Sequence, residues 1–201
     1  MVEINENINI KSFGKHKKKK QIILTHTTRK IEDYIHSLKN RYNGNYDKIP
    51  NYIVSREGLI YKALPNIGYS NIFKNSNINK NSIIISLENL GWLEKRPLKD
   101  YYVNWIHDIY KGDIVERKWR DYFFWQPYTD IQLKKTAELC VELMNEFSID
   151  KKCIGHNVKI NDAESFEGIV SKSNYDSKHT GLSPAFNFEL FLKYIENEQL
   201  V

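Results

Sequence analysis

Two short apolar runs, residues 21–25 (QIILT) and 82–87 (SIIISL), constrain this chain's fold most. Runs so short, apolar and β-branched bury both faces, as central strands do in a sheet covered by helices. Neither approaches the roughly 20 residues of a membrane-spanning helix. Between them Ile31, Tyr34, Ile35 and Leu38 fall at i, i+3, i+4 and i+7. That spacing predicts a helix to about residue 40, with Thr27 and Thr28 as capping hydroxyls. Residues 51–55 and 59–64 flank Arg56-Glu57-Gly58 and read as a β-hairpin. Thr129-Asp130-Ile131-Gln132 matches a capping box and opens the clearest helix. Its inward stripe is Leu133, Ala137, Cys140, Val141, Met144 and Phe147. Residues 151–154 form a short strand ending at Gly155-His156, and a last helix covers about 188–196. Interspersed strands and helices give an α/β class, a mixed central sheet flanked by helices.

Composition narrows the function classes. The 201 residues carry a net charge of +5, with 13% aromatic and 41% hydrophobic content. That excludes a disordered chain, and two cysteines exclude a disulfide scaffold. The excess of Ile, Lys and Asn follows A/T-rich codons and carries no activity. Residues 1–20 read as a basic, solvated arm without a secretory signal, followed by one domain over 21–201. The arm's run His16 to Lys20 is the only concentrated charge, so nucleic acid is not an expected partner. Residues 91–128 hold all four Trp and read as an insertion with its own helices, its aromatics packing a local core.

Two of the six histidines stand directly after strands. His26 follows QIILT, and His156 follows the strand ending at Ile154. Side chains at strand C-termini converge on one edge of an α/β sheet, where such folds place sites. A neutral imidazole there is a competent zinc ligand.

In order, the segments are IILTHTT (22–28), NYIVSREGLIYKAL (51–64), NSIIISLEN (81–89), YTDIQLKKTAELCVELM (128–144), CIGHN (153–157) and SPAFNFELF (183–191). This set resembles the N-acetylmuramoyl-L-alanine amidases of the phage-lysozyme and peptidoglycan-recognition type, over about residues 21–90 and 128–195. The resemblance implies a zinc hydrolase that cuts the amide between N-acetylmuramic acid and L-alanine in peptidoglycan. His26 and His156 match the first two family ligands. The family's third ligand is Asp or Cys, and the matching position here is Gly181, which has no side chain to offer. His179, at the position of the assisting Lys, is the expected substitute ligand, with Asp176 as the alternative. A one-residue shift brings Lys178 to the assisting position. Pro50 stands near where many members carry a Tyr or Glu, and Ser86 where one branch carries Glu. Glu88 lies two residues on, on the same strand face. The expected site is therefore His26, His156 and His179 for zinc, with Glu88 and Lys178 assisting. The implied setting is a phage lysin or virion enzyme, held in the virion or the host cytoplasm until it reaches the wall. Peptidoglycan and phage structural proteins are its implied partners, with no membrane association. The alternative is a degenerate member that binds wall or builds the particle without catalysis.

Overall fold

The computed structural model describes residues 2–8 and 13–199. The first half of the chain forms β1 (Glu6–Asn7), β2 (Gly14–Lys15), β3 (Gln21–His26), α1 (Ile31–Asn40), β4 (Tyr52–Val54), β5 (Ile60–Lys62), β6 (Gly68–Tyr69), α2 (Ser76–Asn81) and β7 (Ser82–Leu87). The second half forms β8 (Trp92–Lys95), β9 (Tyr102–Val103), β10 (Ile109–Tyr110), β11 (Val115–Trp119), β12 (Tyr122–Trp125), α3 (Asp130–Phe147), β13 (Gly168–Ser171) and α4 (Phe188–Gln199).

The two apolar runs are the centre of a six-stranded mixed sheet, ordered β1-β5-β4-β7-β3-β13. β3 and β7 pair in parallel from Gln21↔Ser82 to His26↔Leu87. β4 and β13 extend the parallel set on either side, so four strands end at one edge. The predicted hairpin is β4 against β5, joined through Arg56-Glu57-Gly58. Alternation then divides the core. Ile22, Leu24, Ile83, Ile85 and Leu87 pack under α3 and α4 with Leu133, Cys140, Met144 and Phe191. On the other face Ile23, Ile84 and Val170 meet Ile78, Phe73 and Tyr175, while Ile53 meets Ile31 and Leu38. Each buried Ile or Leu contributes about 1.5–3 kcal/mol, so the central pair alone anchors the sheet.

Several local expectations are corrected. Thr27 and Thr28 do not cap α1. Its N-cap is Lys30, without a side-chain bond, and the first helical N–H, of Ile31, instead donates to Glu88 Oε1 at 3.1 Å. Thr129 does cap α3 through Gln132 N, but the reciprocal half of the capping box is absent. The Gln132 amide is turned inward and donates to Val54 O and Glu88 O, clamping the ends of β4 and β7. The strand expected over 151–154 is a single bridge, Cys153 to Ile169. Its partner β13 is too short for periodicity to reveal.

The basic stretch is built into the fold along its described residues. β1 pairs with β5, and β2 with β6. Lys19 is 3% exposed, and its ammonium donates to the carbonyls of Gly68, Lys80 and Ser82. Residues 1 and 9–12 of the expected arm lie outside the described residues.

The insertion is not helical. It is a five-stranded antiparallel sheet, β10-β9-β8-β12-β11. Trp and Tyr favour a pleated, half-buried surface, and they pair across strands here. Trp92 stacks on Tyr122 at 4.5 Å, and Trp119 meets the fully buried Trp125 edge-on at 5.5 Å. The expected local aromatic core is therefore real, on strands. Among the described residues no helix is long and apolar enough to cross a membrane.

Candidate active site

The edge where β3, β4, β7 and β13 end gathers the chemistry. His26 ends β3 and is 6% exposed. Burial pushes its pKa down to about 3, with His179 and Lys172 adding to the effect, so the ring is neutral. Its Nδ1 lies 3.5 Å from the Tyr128 hydroxyl. With Nδ1–H directed at that oxygen, Nε2 keeps its lone pair. Nε2 is buried and has no hydrogen-bond partner. Such an orphaned buried polar atom costs about 1–3 kcal/mol, which marks it as a position for a ligand atom.

Two glycines let the backbone press against this ring. A Cβ on Gly91, which has φ +78°, would stand 3.0 Å from His26 Cε1. A Cβ on Gly181 would stand 2.8 Å from Thr25 Oγ1 and 2.9 Å from His26 Cδ2. Gly181 is thus a backbone wedge, and any side chain there would collide. A buried polar network holds the loop after β7. Asn89 donates to Gln126 O, and Leu90 N donates to Gln126 Oε1.

His179 is brought to His26, with ring centroids 6.4 Å apart. Burial, then Lys172, holds its pKa near 3 as well. Its Nδ1 accepts from Gly181 N at 3.0 Å, so the neutral ring carries its proton on Nε2. His156 is not brought into this pair. Its imidazole is exposed, and Nδ1 accepts from Val158 N at 3.2 Å. Its loop is nevertheless tied to the His179 segment, because Asn174 donates to His156 O and Asn157 donates to Leu182 O.

The two expected assisting residues sit elsewhere. Glu88 is 8% exposed and spends its carboxylate on Ile31 N and Arg56 N. Burial raises its pKa and the two N–H bonds oppose the rise. Lys178 is exposed, and its backbone N–H donates to Asp176 Oδ1, where Asp176 is exposed too.

A lysine that the motif reading missed lies near this pair, its ammonium 5.7 Å from the centre of the Phe73 ring. Lys172 directly follows β13, and its charge acts on both His26 and His179. Burial lowers its pKa to about 8, Lys48 adds to this and Asp176 opposes it. Lys172 follows the run GIVS as His26 follows QIILT, but four residues are too few to mark a strand. As arranged, these residues do not assemble the zinc site that the resemblance implies. Among the described residues no three His, Cys, Asp or Glu side chains are grouped to hold a metal ion. Two of the three imidazoles have Nδ1 engaged as an acceptor, and a lysine stands beside the pair.

Known proteins share this fold. The fold resembles that of the endolysin N-acetylmuramoyl-L-alanine amidase LysCS from Clostridium intestinale URNW, with a TM-score of 0.55 at 13% identity, covering 98% of this chain and 99% of that one. It also resembles Staphylococcus aureus AmiA, a hydrolase solved with its ligand, with a TM-score of 0.57 at 12% identity, covering 98% and 83%. The amidase AmiD from E. coli, solved with the substrate anhydro-N-acetylmuramic acid-L-Ala-D-gamma-Glu-L-Lys, gives a TM-score of 0.50 at 13% identity, covering 90% and 58%. A comparison with curated proteins returns no match. The sequence itself matches the N-acetylmuramoyl-L-alanine amidase family over residues 16–171, a stretch that includes His26 and His156 and stops before His179. This chain belongs to the N-acetylmuramoyl-L-alanine amidase family.

Proposed function

We propose that the chain is a zinc-dependent phage lysin that hydrolyses the amide between N-acetylmuramic acid and L-alanine in peptidoglycan. One observation carries the reading: the buried, unpartnered Nε2 of His26 at the strand edge of a chain of this family. An imidazole with a pKa near 3 is too weak a base to deprotonate water at neutral pH. Hydrolysis here needs a stronger source of hydroxide, and lowering the pKa of a bound water is the chemistry that zinc supplies when bound. In this reading His26 would be a ligand, and His156 and His179 would join it only on giving up the backbone N–H groups that their Nδ1 atoms accept. Lys172 adds positive charge near His179, which would favour negative charge that develops at this edge. Tyr128 orients His26, and Gly91 and Gly181 confine its ring. The lysin role is supported by the fold shared with endolysin LysCS and by the motif order.

Metal analysis of the purified chain tests this. About one zinc per chain is expected, with loss of both zinc and wall hydrolysis in His26→Ala and in His179→Ala. A metal-free chain that still sediments with walls and leaves them uncut would favour a wall-binding member, the reading that Gly181 motivates.

A further inference from the structure

One buried turn ties together the two segments that carry His156 and His179. β13 pairs with β3 as far as Ser171↔Leu24, two residues short of His26. A single 3-10 turn, Lys172–Asn174, follows at once. Ser173 and Asn174 are both 0% exposed. Ser173 N donates to Gly181 O at 3.0 Å, and the Ser173 hydroxyl is shared between the carbonyls of His179, at 3.0 Å, and Gly181. Asn174 holds the other segment. Its Oδ1 accepts from Ser171 N at 2.7 Å and from Ser171 Oγ at 3.0 Å. Its Nδ2 donates to His156 O at 2.9 Å and to Val158 O at 2.7 Å. All four hydrogen-bonding places of the carboxamide are therefore filled. Asp would keep the acceptors and lose both donors, and Gln would carry the same group one carbon further out. The Asn174 bonds end on backbone carbonyls. They hold the loop while leaving the His156 ring free to give up its own contact with Val158 N.

We propose that Ser173 and Asn174 are positioning residues, which fix the His156 loop and the His179 segment at one separation beside His26. Neither is placed to touch a reacting group, and each acts through the backbone it holds. Three features of the fold support this. The turn is anchored to a strand of the central sheet, its two side chains are fully buried, and each serves a different histidine. Asn157 adds an outer tie between the same two segments, donating to Leu182 O at 2.9 Å. The effect on hydrolysis rests on the amidase reading. The hold on the two segments does not, and it is read in the metal-free chain.

The test compares wild type with Asn174→Asp and Ser173→Ala, by amide hydrogen exchange and histidine-ring NMR of the metal-free chain. Asn174→Asp keeps the acceptor that caps the turn and removes the donors that hold the loop. The Ile160 N–H, which closes that loop on Asn174 O at 3.0 Å, is expected to exchange about tenfold faster, the scale of two lost bonds. The His156 ring signals should move while those of His179 stay. Ser173→Ala should do the reverse. Asn157→Ala, at a less buried residue, should move the His156 signals in the same direction by less, which keeps the test open if Asn174→Asp does not fold. Hydrolysis of a soluble muramyl-L-alanyl peptide is scored on the same proteins, with melting temperatures as the folding control. In Asn174→Asp kcat should fall by about 10²-fold with KM little changed, the cost of a displacement of about 1 Å. Unchanged Ile160 exchange and His156 signals, both rings moving together in either variant, or a kcat that falls only with the folded fraction overturns the proposal. The expected exchange and ring shifts without cleavage by wild type would count against the amidase reading and leave the hold on the two segments standing.

Discussion

Gly181 is a close backbone contact of the two buried imidazoles. The space its side chain would need is filled by Thr25 Oγ1, His26 Cδ2 and His179 Cε1. Gly181→Ala is therefore expected to lower stability by about 1–3 kcal/mol, read from urea denaturation, and to displace His26. His26 and His179 give a pH signature of their own in the metal-free chain. Their folded pKa values, about 3, lie below the ordinary 6.5, so between those values the unfolded chain binds protons that the folded chain excludes. Stability accordingly rises with pH across that window and is lost as pH falls from about 6.5 towards 3, by up to about 1.4 kcal/mol per unit for each imidazole. Urea midpoints measured from pH 7 to 4 check this, and His179→Gln should flatten the slope. At this scale the sequence was half legible. His26 declared itself by following a strand of unmistakable composition. Lys172 did not, because its strand is four residues long.

Among the elements, α1, β4 and β7 are coupled by a single carboxylate. Glu88 follows β7, serves the first N–H of α1 and pins Arg56 N after β4. An acceptor at a helix N-terminus also meets the favourable end of the helix dipole. Glu88→Ala leaves two N–H groups without acceptors and should cost about 1–3 kcal/mol by thermal or urea denaturation. It should weaken wall hydrolysis only in proportion to the folded fraction lost. A fully folded Glu88→Ala protein without hydrolysis would return Glu88 to the chemistry. The strands were readable from β-branched runs and the long helices from apolar spacing. The insertion was misread as helical because Trp, Tyr and Lys carry no clear period of their own there. Cross-strand pairing, invisible in one-dimensional spacing, decides it.

At the scale of the whole molecule, the chain converges on one edge. The central sheet supplies His26 and, after β13, Lys172, and the segment before α4 supplies His179 and Gly181. His26 stands there because four parallel strands end together, of which the opening apolar runs announced only the central pair. The central claim is that this edge cuts the muramyl–alanine amide and that His26 is indispensable to it. The most direct measurement is mass spectrometry of the soluble products from peptidoglycan digested by wild type and by His26→Ala. Free stem peptides beginning with L-alanine, beside glycan strands without new reducing ends, are expected from wild type alone. New reducing ends, cleavage within the stem peptide, or equal release by His26→Ala would contradict the account.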